Sequence, residues 1–104
     1  MVESTLSPTT RAEVALYGFV YDLAAQTRFS LDLPRCASLR DLLEGVVQSQ
    51  GDRVRQRLLT RTGGLQPGVQ VFVAGQGVRS LEERLPESPS VPIKILVLNA
   101  AAGG

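Results

Sequence analysis

The chain alternates apolar and polar residues in several short stretches and switches once to helical spacing, and this contrast sets out its architecture. Over Ala12–Val20, Val14 and Leu16 take one face and Ala15, Tyr17 and Phe19 the other. A strand turns successive side chains to opposite faces, so this spacing predicts a strand. Arg28–Leu33 repeats it, with Phe29, Leu31 and Leu33 opposite Ser30 and Asp32. The polar, small segment Asp22–Gln26 makes the two a hairpin. Pro34 closes the second strand, because it has no N–H to give a ladder.

The period then changes. Leu39, Leu42, Leu43, Val46 and Val47 recur at i, i+3, i+4, i+7 and i+8, one apolar stripe along a helix. Ser38 is the expected N-cap, with Asp41 three residues on, where it also complements the positive helix end. Gly51 after Gln50 is the expected C-cap. Val54, Leu58 and Leu59 suggest a second, shorter helix.

Thr62-Gly63-Gly64 and Gln66-Pro67-Gly68 read as turns. Val69–Val73 is a strand with Val69, Val71 and Val73 opposite Phe72; Gly75-Gln76-Gly77 supplies a reversal, and Val78–Leu81 begins a return. Leu81–Leu85 is expected as a helical turn and Pro86–Pro92 as loop. Ile93–Leu98 is the final strand, with Ile93, Ile95 and Val97 opposite Lys94, Leu96 and Leu98. The predicted fold class is α+β: a mixed sheet of four to five strands with one main helix across one face. Residues 1–10 are expected to be a flexible leader, 11–98 the folded domain and 99–104 a flexible tail.

Composition narrows the chemistry. A chain of 104 residues with 43% hydrophobic and 20% charged content is expected to form one soluble domain. A net charge of +1 gives no bulk field for nucleic acid or anionic membrane. No apolar run approaches the ~18–20 residues that span a bilayer, and the opening residues lack the basic start and apolar region of a signal peptide. The expected location is the cytoplasm and the expected free state a monomer. Without histidine, imidazole acid–base catalysis and histidine metal ligation are absent. The lone Cys36 cannot build a thiolate zinc site, and no phosphate-binding glycine motif occurs. The expectation is a chain that is not an enzyme by itself. Arg53, Arg55, Arg57 and Arg61 could meet RNA or an acidic partner, but no aromatic residues accompany them for base stacking, which favours a solvated helix face.

The end of the chain is unusual. Asn99 is followed by Ala100, Ala101, Ala102, Gly103 and Gly104, so the final strand tapers to bare backbone and a carboxylate. Six residues extend roughly 20 Å at ~3.3–3.6 Å each, and glycine permits close approach to a partner. That suits a carboxylate delivered into another protein's active site; the alternative is a small-residue tail or a cloning remnant. A sheet covered by a helix on one face should be polar on the other. Tyr17, Phe72, Leu96 and Leu98 are instead the candidates for that face, and neighbouring exposed apolar residues mark an interface. A face assignment shifted by one residue would bury them instead.

These residues resemble the β-grasp sulfur carriers, ThiS- and MoaD-like proteins with a ubiquitin-like fold. Val14-Ala15-Leu16-Tyr17-Gly18 through Asp22-Leu23-Ala24 is similar to their first strand and the segment after it. Leu31-Asp32-Leu33-Pro34 and Ala37-Ser38-Leu39-Arg40-Asp41-Leu42-Leu43 resemble their second strand and helix start. Pro67-Gly68-Val69-Gln70-Val71-Phe72-Val73-Ala74-Gly75 resembles their hairpin, and Ala102-Gly103-Gly104 their terminus. The chain departs from the pattern at Ala74, where Asn is common, at Ser88-Pro89-Ser90-Val91-Pro92, which replaces an Asp-Gly-Asp turn, and at Asn99-Ala100 in place of Pro-Pro. The resemblance implies a substrate and carrier that binds no cofactor itself. A partner adenylating enzyme, using ATP and Mg, would activate the Gly104 carboxylate. A sulfur donor would convert it to a thiocarboxylate, and a downstream synthase would accept the sulfur. Gly103 and Gly104 would enter the active-site channel, Ala100, Ala101 and Ala102 would form a slim tether, and Tyr17, Phe72, Val78, Leu96 and Leu98 would dock the partner. Two other classes stay open: a ubiquitin-like modifier joined to lysines through the same carboxylate, and a β-grasp binding module with no need of a free terminus.

Overall fold

A computed structural model describes residues 9–18 and 26–98. Residues 1–8 of the predicted leader 1–10, the link around Asp22, Phe19 and the tail 99–104 lie outside the described residues. The elements run β1 (Thr9–Gly18), β2 (Arg28–Pro34), α1 (Leu39–Gln50), α2 (Asp52–Leu58), β3 (Val69–Val73), β4 (Gln76–Val78) and β5 (Ser90–Val97). They build one five-stranded sheet in the order β2-β1-β5-β3-β4. β1 and β5 are parallel and the other neighbours antiparallel, which makes the sheet mixed. The strand that leads to the end of the chain is therefore the central one.

Alternation determines which face is core. Ala12, Val14 and Leu16 of β1, Val69, Val71 and Val73 of β3, and Val91, Ile93, Ile95 and Val97 of β5 are all buried. They meet Leu39, Leu42, Leu43 and Val46 of the predicted stripe on α1, and Val54 and Leu58 of α2, in one cluster. α1 begins where its sequence signals: the Ser38 hydroxyl accepts from the Asp41 N–H at 3.2 Å, and the Asp41 carboxylate accepts from the Ser38 N–H at 3.0 Å. The amide of Gly51 closes it on the Val47 carbonyl at 2.7 Å. The buried Gln50 accepts from the Gln26 N–H, tying the end of α1 to the approach to β2. Gln66, buried likewise, donates to the carbonyls of Gln56 and Leu59 and so satisfies the end of α2.

Four boundaries differ from the sequence expectations. β1 starts at Thr9, so Thr9 and Thr10 belong to the sheet. The β3–β4 hairpin turns through Ala74-Gly75, not Gly75-Gln76-Gly77, because Val73 pairs with Gln76. Both central residues have positive φ, 52° and 87°, as a type I′ turn requires. Leu81–Leu85 forms a turn followed by extended chain instead of a helical turn. The Leu39 and Arg40 amides, which a first helical turn leaves unpaired, donate to the carbonyls of Glu83 and Leu81 at 2.8 and 3.0 Å. Carbonyls committed to α1 are not free to close a helix of their own. Finally, β5 starts at Ser90, since Ser90, Val91 and Pro92 pair with Arg11, Ala12 and Glu13 of β1. Pro92 is tolerated in a central strand because β3 has already turned away at Ala74, whose amide donates to the Pro92 carbonyl at 2.9 Å.

Candidate functional site

The helix-free face of the sheet reads in rows set by register. One row runs Arg28, Ala15, Lys94, Phe72, Gly77; the next runs Tyr17, Leu96, Gln70. Tyr17, Phe72 and Leu96 thus come together as predicted, each half-buried. Leu98 follows Leu96 by two residues, and its side chain is 51% exposed, the large apolar residue most open to solvent among those described. Its amide donates to the Gly68 carbonyl at 2.8 Å, so the ladder between β3 and β5 continues one step past Val97 and anchors the backbone at Leu98.

Val78 does not share this face. It pairs with the buried Val71 and packs against the core on the helix side. There it borders a shallow cleft of about 80 Å³ with Leu39, Val73, Leu85 and Pro86. The opposite corner of the helix-free face is polar: Arg11 pairs with Asp32 at 3.6 Å, and Ser30 donates to Glu13 at 2.8 Å. The apolar corner is consequently local, bounded, and placed where β5 ends.

Sequence reasoning did not single out Arg28 and Lys94. The Arg28 guanidinium donates to the Tyr17 hydroxyl at 3.3 Å, and the Lys94 ammonium lies 5.9 Å from the centroid of the same ring. The period-two spacing of Lys94, Leu96 and Leu98 placed Lys94 on this face; the position of Arg28 needed the β1–β2 register.

Other candidate chemistry is structural. Cys36 is exposed at φ 75° in the turn after β2, with its sulfur 3.8 Å from a Glu87 carboxylate oxygen. Arg55 makes two 3.0 Å bonds to Glu44, joining α2 to α1. The hydrogen bond from Arg55 holds the Glu44 carboxyl below its ordinary range. Among the described residues no cluster of His, Cys, Asp or Glu could hold a metal, and no helix is long and apolar enough to cross a membrane. The terminal residues Gly104, Gly103, Ala102, Ala101 and Ala100 lie outside the described residues; what the structure defines is their point of departure.

A mixed five-stranded sheet with parallel β1 and β5, packed on α1 after a β1–β2 hairpin, is the ubiquitin-like β-grasp fold. Small archaeal modifier protein 1 of Haloferax volcanii superposes with a TM-score of 0.75 at 17% identity, over 86% of this chain and 99% of that one. A putative molybdopterin converting factor, subunit 1, from Pyrococcus furiosus gives 0.65 at 20% identity, over 86% and 99%. Urm1 from Trypanosoma brucei gives 0.67 at 18% identity, over 90% and 97%. The fold implied by the sequence resemblance is the fold these proteins share. No family model and no curated protein matches the sequence.

Proposed function

We propose that this chain is a sulfur carrier whose C-terminal glycine is adenylated by a partner enzyme and converted to a thiocarboxylate. The observation that supports the reading most directly is the end of β5. The central strand stays hydrogen-bonded as far as Leu98, beside the apolar corner formed by Tyr17, Phe72 and Leu96. The six residues Asn99–Gly104 follow from there.

The chemistry is balanced by the partner's substrates. The Gly104 carboxylate attacks the α-phosphate of ATP, held with Mg by the partner, and pyrophosphate leaves. The acyl-adenylate carbon is then electrophilic, and a persulfide or sulfide donor displaces AMP. A persulfide requires reductive release of the bound sulfur by a thiol. The resulting thiocarboxylate gives its sulfur to a precursor on a downstream synthase. In this scheme the chain contributes geometry: a face that docks the adenylating enzyme, and a slim tether, Ala100–Ala102, leading to Gly103 and Gly104. Ordering that tether costs ~1–2 kcal/mol per residue, which contacts at Tyr17, Phe72, Leu96 and Leu98 offset.

The test is intact mass after incubation with the cognate adenylating enzyme, Mg-ATP and a sulfur donor. Exchange of one oxygen for sulfur adds about 16 Da, the difference between the two atomic masses, and the Gly104 deletion variant should gain nothing. Loading of the deletion variant would refute the carrier chemistry. Isopeptide-linked Gly104 remnants on protein lysines, without any thiocarboxylate, would favour a modifier.

A further inference from the structure

We infer that Arg28 and Lys94 form a carboxylate-receiving pair on the docking face, and that the protein covering Phe72 and Leu96 presents an acidic side chain between them. The inference rests on the proposed docking of an adenylating enzyme, and it adds the chemistry by which that surface is recognised.

Three observations carry it. First, the two cations share one cross-strand row, with only the Ala15 methyl group between them and Phe72 next in line. Second, both converge on Tyr17, one through its hydroxyl at 3.3 Å and one over its ring at 5.9 Å. A side chain already held needs less ordering when a partner arrives. Third, among the described residues neither cation has a carboxylate within ion-pair distance, whereas Arg11, Arg40 and Arg55 are paired with Asp32, Glu82 and Glu44. Glu13, one row away, is engaged by the Ser30 hydroxyl.

Covering two cations that no described carboxylate neutralises with an apolar interface is costly unless the partner supplies the opposite charge. A carboxylate answers both, by accepting from the planar guanidinium and lying beside the ammonium. Phosphate is the competing anion. A nucleic-acid surface spreads cations along a backbone track; here the row passes from the two cations to Phe72 and Gly77, the next carries Leu96, and the whole chain has a net charge of only +1. The charge pattern therefore fits an acidic protein surface.

The experiment measures affinity for the adenylating enzyme at low and high salt, together with ATP–pyrophosphate exchange. Lys94→Glu and Arg28→Glu should each weaken association roughly tenfold or more and flatten its salt dependence, with thermal stability unchanged. Lys94→Arg should stay within about threefold of wild type. Phe72→Ala should weaken binding while preserving the salt dependence. Wild-type exchange that is indifferent to both charge reversals would overturn the pair and leave the carrier reading intact. No exchange with the wild-type chain would remove both. Tighter binding of a poly(U) oligonucleotide than of the enzyme, with the same dependence on Lys94, would assign the pair to phosphate and overturn the acidic-protein partner.

Discussion

At Gly18 the backbone tolerates no side chain. Its φ is +86°, and a Cβ there would collide with the Val97 carbonyl of the neighbouring strand. Gly18→Ala should therefore cost at least ~2 kcal/mol, read as a lower denaturation midpoint with unchanged slope. Ala74 presents the reverse case. It holds φ +52° beside Gly75 in the β3–β4 turn, a conformation that costs an alanine ~1–2 kcal/mol and that asparagine accepts more readily. Ala74→Asn should stabilise the protein by ~0.5–1 kcal/mol, and Ala74→Val should destabilise it. Asparagine, common at this position in the proteins the sequence resembles, is the residue this backbone prefers, and alanine occupies it under strain.

Within an element, neighbouring residues differ sharply in what they can tolerate. Val71 is buried and Phe72 faces the helix-free side. Val71→Asp should abolish cooperative folding, whereas Phe72→Asp should leave the thermal transition near wild type and lose the adenylating enzyme. Unfolding of Phe72→Asp would place that ring in the core. Between helices, Glu44 is held below its ordinary value by Arg55. A depressed carboxyl stabilises the fold above its unfolded value and loses that contribution as pH falls through the folded one. Because both side chains are partly exposed, the effect is small. Glu44→Gln should lower the melting temperature by a few degrees at most at neutral pH, and the difference should fade in acid. These contrasts mark what the sequence could convey. α1 was legible because its stripe, Ser38 cap and Gly51 stop are all local. The segments that went astray take their structure from distant partners: residues 81–85 serve the first turn of α1, and Ser90–Pro92 are recruited by β1. The face of Val78 depended on where the turn falls, since a one-residue shift exchanges the two sides of a strand. For the site, alternation alone brought out Tyr17, Phe72, Leu96 and Leu98. The proximity of Arg28 to Lys94 exists only in the order β2-β1-β5.

At the scale of the molecule, the buried apolar core among the described residues runs from Ala12 to Val97. Under the proposed chemistry, Gly103→Val, and any residue appended after Gly104, should block the ~16 Da gain, because a β-branched side chain stiffens and widens the chain where a slim tether is proposed. Cys36→Ser should load fully; loss of loading there would move the sulfur to the thiol. The central position of β5 has a further, mechanical consequence. β1 and β5 lie side by side and parallel, so traction drawing the start of β1 away from the end of β5 loads their shared hydrogen bonds in shear, all together. Single-molecule extension between those two points should give one abrupt rupture without a preceding strand-by-strand peel. A partner that grips the end of this chain would pull on the element bonded along both of its edges, so the load spreads over two ladders before any strand is lost.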